Sequence, residues 1–279
     1  MRIIGDIRKM QSCCAELKKE GLSVGFVPTM GALHEGHLSL VRRSKKDNDI
    51  TCVSIFVNPI QFGPAEDFNT YPRPARRDRM LCQKEKVDLL FMPRPDRMYG
   101  PGFRTHVEVE ALSDVLCGAT RQGHFRGVAT VVAKLFNIIQ PDRAYFGQKD
   151  FQQTVVLKRM AADLNFPVEI KVLPTVRETR GLAMSSRNAY LSAQEHSQAL
   201  AISRALFRAR QMARGGVRDA ARLIREMKRI IGQDRAVRIE YLKIVDADTL
   251  SPVKRAQRGT TAVVAARVGA TRLIDNIVF

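Results

Sequence analysis

The stretch Pro28-Thr29-Met30-Gly31-Ala32-Leu33-His34-Glu35-Gly36-His37 decides how this chain is read. It directly follows Ser23–Val27, a short apolar run that fits a buried parallel strand, and it opens the helical pattern Gly36–Lys46. A strand that ends in a glycine-bearing loop and then a helix is built for an anionic ligand. The helix N-terminus offers unpaired N–H groups and the positive end of a dipole. Gly31 and Gly36 allow close backbone approach. His34 and His37 are three residues apart, so helical geometry predicts one shared face and two imidazoles able to donate to phosphate oxygens. A pair of structural loop histidines is the plainer alternative, but these are two of only five histidines and both fall at the phosphate end.

Working outward, the pattern repeats. Thr51–Val57, Val87–Met92, Ala144–Phe146 and Val168–Leu173 read as strands; Ala75–Glu85 and Phe151–Leu164 read as helices. Val128, Val131, Val132, Leu135, Phe136 and Ile139 follow helical spacing, and Pro141 ends that helix. The alternation predicts an α/β fold, a Rossmann-like doubly wound parallel sheet over residues 1–175. After about Val176 the character changes. Helical stretches near Ala193–Ala213 and Val217–Ile231 precede strand-like Arg238–Val245, Thr261–Arg267 and Arg272–Val278, with no crossover between them. A smaller C-terminal α+β domain over residues 176–279, acting as a lid, is expected.

Composition narrows the function classes. No run of roughly 18 apolar residues occurs, so no membrane partner is expected. The first ten residues include Arg2, Asp6, Arg8 and Lys9, which argues against a secretory h-region. The cysteines are odd in number, two are adjacent, and none are in CxxC spacing, which favours reduced thiols in a cytoplasm over disulfides or zinc. The charge of +18 is concentrated where Arg204, Arg208, Arg210, Arg214, Arg218, Arg222 and Arg225 recur about every helical turn, the mark of a solvated helix face. With aromatics at only 6%, no stacking motif supports a nucleic-acid partner, and an RNA-binding module is the weaker alternative.

Further polar strings stand at predicted strand ends or at the change of character. Asn58 and Gln61 follow the strand Thr51–Val57, and Tyr71 lies beyond them; neutral amides orient hydroxyls and carboxylates without trapping them as ion pairs. Taken alone, Asn58-Pro59 reads as an ordinary turn. Arg121 and His124 precede the Val128 helix and could face the same site. Gly147-Gln148-Lys149-Asp150 follows the strand Ala144–Phe146, with Gln153 three residues on; Lys149 suits phosphate as a point charge, and Asp150 either caps the helix or holds Mg²⁺. Met184-Ser185-Ser186-Arg187-Asn188 lies at the predicted domain junction, where two hydroxyls and a guanidinium suit a polyphosphate.

The HxGH string in its strand–loop–helix setting resembles the HIGH-type nucleotidylyltransferases, and the longer string from Pro28 resembles the pantothenate synthetase family more specifically. GxKDxxQ at Gly147–Gln153 and the KMSKS-like Met184–Asn188 loop extend the resemblance over nearly the whole chain, as do Asp246–Leu250 and Arg272-Leu273-Ile274-Asp275-Asn276, for which no catalytic rationale emerges. Gln148, Gln122 and Arg77 depart from residues common in the family. The resemblance implies an AMP-forming ligase that activates pantoate with ATP as an adenylate and transfers it to β-alanine, with Mg²⁺ and as a homodimer. It implies ATP contacts from residues 28–37, Gly147, Gln148, Lys149, Asp150, Val176, Met184, Ser185, Ser186 and Arg187. Of these, His34, His37, Lys149 and Arg187 carry catalysis. It further implies Gln61, Gln153, Asn58 and Tyr71 at the acyl substrate, and Asp150, then Asp78, at the metal. A plain nucleotidyltransferase is the rival within enzymes, and the Gln61 and Gln153 strings weigh against it.

Overall fold

A computed structural model describes residues 1–64, 66–234 and 236–279. The chain falls into two compact units, residues 1–147 with 153–173, and residues 148–152 with 174–279. In chain order the elements are β1 (Arg2–Ile4), α1 (Ile7–Lys19), β2 (Val24–Thr29), α2 (Glu35–Asp47), β3 (Ile50–Ile55), α3 (Ala75–Lys84), β4 (Leu89–Phe91), α4 (Pro95–Met98), α5 (Cys117–Thr120), α6 (His124–Ile139), β5 (Arg143–Gly147), α7 (Phe151–Asp163), β6 (Glu169–Leu173), α8 (Ala193–Arg214), α9 (Ala220–Ile231), β7 (Val237–Asp246), β8 (Thr260–Val268) and β9 (Thr271–Val278). Short 3-10 turns occupy Pro59–Gln61, Gln148–Asp150 and Ser186–Tyr190.

In the first unit, among the described residues, six parallel strands run in the order β1-β4-β3-β2-β5-β6. This is the doubly wound sheet that the alternation predicts. The helix α1 and the short β1 are additions to the sequence reading; β1, three residues with two exposed, gives no periodic signal. Right-handed crossovers assign the layers. The connections from β2 to β3 and from β3 to β4 run one way along the sheet and put α2 and α3 on one face. Those from β1 to β2, β4 to β5 and β5 to β6 run the other way and put α1, α6 and α7 on the opposite face. The direction reverses at β2, so the carboxyl ends of β2 and its neighbour β5 flank the switch point where such sheets bind ligands.

Helix α6 is the apolar spine of one layer, with Phe125, Val128, Val131, Val132, Leu135, Phe136, Ile138 and Ile139 all buried. It ends at Gln140 in the left-handed region, just before Pro141. Its first turn lies so close to the Pro59–Gln61 turn that only glycine fits at 127. A Cβ there would stand 2.4 Å from the Ile60 carbonyl oxygen and 2.6 Å from the Gln61 Cα.

The second unit is an antiparallel meander, β7-β8-β9, packed against α8 and α9. Ala199, Ala205, Ala209 and Ala213 on α8 are buried and let α9 approach, with Leu223, Met227 and Ile231 facing them in one core. Ser192 and Glu195 form a capping box at the start of α8, and Asp219 caps α9. Arg204, Arg208, Arg214, Arg218, Arg222 and Arg225 are exposed or partly so, as expected of a solvated face. Arg208 and Arg229 pair with Glu226, and Arg210 is half-buried over the Phe207 ring.

Gly127→Ala tests the close packing of α6. Alanine gains about 1 kcal/mol of helix propensity, while forced overpacking costs about 1–3 kcal/mol. Contact distances well under 3 Å with backbone atoms place this site at the costly end. The urea midpoint is expected to fall, at unchanged m-value. A midpoint equal to or above that of the parent would show that the backbone yields without cost.

Candidate active site

The loop after β2 turns sharply through Gly31 (φ +84°) and Ala32 (φ +49°), a left-handed pair that a strand end adopts only when held. Three groups hold it. Thr29 Oγ1 donates to the Ser54 carbonyl of the adjacent strand at 2.7 Å and accepts the Gly31 N–H at 3.1 Å. Asp78, in the first turn of α3 and only 1% exposed, accepts the Ala32 and Leu33 N–H groups on its two oxygens, both at 2.9 Å. Leu33 is buried in the cluster of Val27, Leu40, Val53 and Leu90, a burial worth about 1.5–3 kcal/mol. A buried carboxylate is tolerated because both oxygens are hydrogen-bonded. This assigns Asp78 to shaping the loop. With both oxygens engaged by backbone amides, it is a poor metal ligand.

His34 is the N-cap residue of α2. Its Nδ1 accepts the Gly36 N–H at 3.1 Å, and His37 Nδ1 accepts the His34 N–H at 3.3 Å, a reciprocal capping box built from two imidazoles. The ring centroids lie 4.1 Å apart, so the expected shared placement is present. A ring nitrogen that accepts a backbone N–H carries no proton, so each neutral ring bears its proton on Nε2. The fold thereby presets two Nε2–H donors at the amino end of α2. Glu35 pairs with Arg42 on the outer surface of the same helix.

A second polar chain lies beside this loop within the same unit. The Tyr99 hydroxyl donates to Asn58 Oδ1 at 2.7 Å. Asn58 Nδ2 donates to Gln61 Oε1 at 3.0 Å and to the Gly127 carbonyl at 3.1 Å, and Gln61 Nε2 donates to Met30 Sδ at 3.0 Å. Asn58 and Gln61 are buried amides whose rotamers are fixed by these partners. Gln61 and the nucleotide-type loop are thus joined through Met30. Tyr71 is buried and packs edge-on against Phe62. His124 Nδ1 lies 2.8 Å from the Gln61 carbonyl, and Arg121 makes a two-point ion pair with Glu66 while touching His124 at 2.9 Å. Burial pushes the Glu66 carboxyl up, but Arg121 outweighs it and holds the group below its usual range. Arg121 and His124 therefore brace the Gln61 turn. Tyr99 and Gly127 belong to this arrangement and carry no local sequence signal. A lone tyrosine in a loop and a helix glycine gain meaning only from what packs on them.

Gly147 ends β5 beside β2, and Gln153 sits half-buried in the first turn of α7. The intervening Gln148–Asp150 turn belongs to the second unit. There Lys149 Nζ lies 3.5 Å from Asp150 Oδ1, and the Asp150 side chain is 46% exposed, open to a further ligand. Val176 and Met184 face each other across a hairpin, with the Met184 N–H donating to the Val176 carbonyl at 3.0 Å and Gly181 (φ +100°) at its turn. Beyond it Ser185 caps the Ser186–Tyr190 turn by accepting the Arg187 N–H at 3.3 Å. Asn188 ties this loop down, donating to Glu178 Oε1 at 2.7 Å and to the Ala183 carbonyl at 3.1 Å. Asp275 and Asn276, familial in the sequence but without a role there, meet the Arg177 side chain and the Gln148–Lys149 backbone.

Known proteins match this chain over its full length. The family model described as pantoate-beta-alanine ligase matches residues 2–278. A pantothenate synthetase of Sulfurihydrogenibium sp. (strain YO3AOP1) is 56% identical over 280 residues, covering 100% of both chains. The solved pantothenate synthetase of Thermus thermophilus superposes with a TM-score of 0.94 at 47% identity, covering 99% of each chain. The solved ligase of Francisella tularensis, described as complexed with beta-gamma ATP and beta-alanine, gives a TM-score of 0.82 at 32% identity, covering 100% of this chain and 97% of that one. A doubly wound sheet with paired imidazoles at its switch point, matched end to end in sequence and in fold, shows that this chain belongs to the pantoate–β-alanine ligase family.

Proposed function

We propose that the chain performs its family's reaction, the ATP-dependent joining of pantoate to β-alanine, through a pantoyl-adenylate held chiefly by hydrogen bonds and charge. The observation that carries this reading is the reciprocal histidine cap, which fixes two Nε2–H donors at a helix N-terminus beside the switch point. A carboxylate is a poor acyl donor to an amine because its leaving group would be oxide. Attack of the pantoate carboxylate on the α-phosphorus of ATP expels pyrophosphate and converts that oxygen into part of an AMP leaving group. The β-alanine amine then attacks the carbonyl carbon, AMP departs, and the amine proton is lost to solvent. No covalent bond to the protein is required, so catalysis is positioning and charge stabilisation.

Residue roles follow from chemistry. His34 and His37 donate to phosphate oxygens as negative charge develops. Lys149 and Arg187 neutralise phosphate charge, with Ser185 and Ser186 as hydroxyl donors. Residues 28–37, Gly147, Gln148, Val176 and Met184 supply backbone and side-chain contacts to the nucleotide. Gln61, Asn58 and Tyr71, with Gln153, orient pantoate; the fixed amide chain through Tyr99 and Met30 supports that assignment. Residues 176–279 act as the lid that brings the Met184–Asn188 loop to ATP.

Mg²⁺ belongs to the same proposal. The Asp150 carboxylate, 46% exposed, would be the protein ligand of an ion carried on ATP. Such an ion supplies Lewis-acid neutralisation of phosphate charge. A homodimer is expected on the family likeness. A cytoplasmic setting belongs to the same proposal, on the odd number and the spacing of the cysteines.

An AMP-release assay with each substrate omitted in turn tests the reaction. Steady AMP release is expected only with ATP, pantoate and β-alanine together, and equal release without pantoate or without β-alanine would overturn the reading. His37→Ala removes a charge-stabilising donor and is expected to lower kcat about 10²-fold or more; an unchanged kcat in a folded variant refutes the role. Gln61→Ala is expected to raise KM for pantoate far more than KM for ATP, and equal effects on both would reject the assignment.

A further inference from the structure

The carboxyl-terminal strand places two buried polar residues side by side, Asp275 and Asn276, each 4% exposed. Consecutive strand residues point to opposite faces, so one dipeptide can address two separate segments. Asn276 Nδ2 donates to the Gln148 carbonyl at 2.8 Å and to the Lys149 carbonyl at 3.0 Å. Its Oδ1 accepts from Gln148 Nε2 at 3.3 Å, so a single side-chain amide contacts three groups of two consecutive residues. Those contacts pin the backbone of the Gln148–Asp150 turn, from which the Lys149 side chain departs.

Asp275 holds the amide itself in place. Its carboxylate accepts both Arg177 Nη atoms at 2.6 and 2.9 Å and also the Asn276 N–H at 2.7 Å. Arg177 reaches on to the Asn276 carbonyl at 3.4 Å and the Gly181 carbonyl at 3.1 Å, and stacks over the Phe207 ring at 4.9 Å. Pairing a buried carboxylate with a partly buried guanidinium costs desolvation that hydrophobic packing would avoid. Here the pair orders the strand end that grips the backbone of Lys149.

We propose that Asn276 is a positioning residue for ATP: by clamping the Gln148 and Lys149 carbonyls, it aims the Lys149 ammonium at the nucleotide phosphates, with the Asp275–Arg177 pair fixing the clamp. This rests on the phosphate role given to Lys149 above. A long lysine stem loses less affinity to thermal wander when its root is immobile, because the charge is already placed before ATP arrives. Removing the clamp acts on the ATP step and leaves pantoate recognition, which uses Gln61 and its partners, as it was.

The test is steady-state kinetics of the full chain with ATP and pantoate varied separately, for the parent, Asn276→Ala, Asn276→Ser, Lys149→Ala and the double variant Lys149→Ala/Asn276→Ala. KM does not depend on how much of a preparation is folded, so it separates positioning from loss of structure. Asn276→Ala is expected to raise KM for ATP roughly tenfold, the scale of one or two lost hydrogen bonds, with KM for pantoate unchanged. Asn276→Ser, the smaller perturbation, serves if the alanine variant does not fold and is expected to shift KM for ATP in the same direction. In the double variant the second substitution is expected to add less than about twofold, because the clamp acts through the lysine. An unchanged KM for ATP, equal shifts for both substrates, or full additivity overturns the positioning role while leaving the ligase reading intact. If Lys149→Ala itself leaves ATP kinetics untouched, the phosphate role of Lys149 fails and the clamp's purpose fails with it.

Discussion

The buried carboxylate of Asp78, accepting the N–H groups of Ala32 and Leu33, is the constraint on which the loop between β2 and α2, and with it the paired imidazoles, depends. A chain leaving a central strand must satisfy its backbone groups at once. Here it passes through two left-handed residues, and the freed amides are collected by one carboxylate from the neighbouring crossover helix. Gly31 also admits the carboxylate physically, since a Cβ would stand 3.0 Å from Asp78 Oδ2. With Leu33 sunk into the core, the next residue is His34, set as the N-cap of α2. The tautomers of both imidazoles follow from that placement, so ring chemistry at the surface is fixed by a hydrogen bond made in the interior.

The polar chain beside the Gly31–Ala32 loop is built from neutral groups. Tyr99, Asn58, Gln61 and Met30 form a chain in which each donor has an acceptor and no residue carries a charge. Such a chain holds its amides in one rotamer without the desolvation cost of an ion pair. Its rigidity comes from α6 pressing on the Pro59–Gln61 turn at Gly127 and from His124 on the Gln61 carbonyl. The charged groups of the second unit follow a different logic. Asn276 holds the Lys149 carbonyl while the Lys149 ammonium lies 3.5 Å from Asp150, and Ser185 and Asn188 hold the loop that carries Arg187. Neutral amides that are buried, and charged side chains whose backbone is held by buried amides, are two ways in which partners elsewhere in the same unit fix polar groups.

Local patterns in the chain were enough to establish the doubly wound class, the places where loops leave strands, and the residues with phosphate-type chemistry. Each of these is legible over a few positions: apolar runs of strand length, helical spacing such as Val128 to Ile139, and imidazole, ammonium or guanidinium groups next to glycine turns. The same patterns did not reveal β1, which is too short to show a period, nor the purpose of Asp78, Tyr99, Gly127 and Asn276. Those four act across 41 to 128 positions of chain, on Ala32 and Leu33, on Asn58, on the Gln61 turn, and on Gln148 and Lys149. A hydrogen bond between distant residues leaves no spacing to read, because its distance along the chain is set by topology rather than by the pitch of a helix or the pleat of a strand. It took the folded chain to show that an aspartate suited to a metal is spent on two backbone amides, and that an asparagine near the carboxyl terminus reaches the root of the phosphate-type lysine.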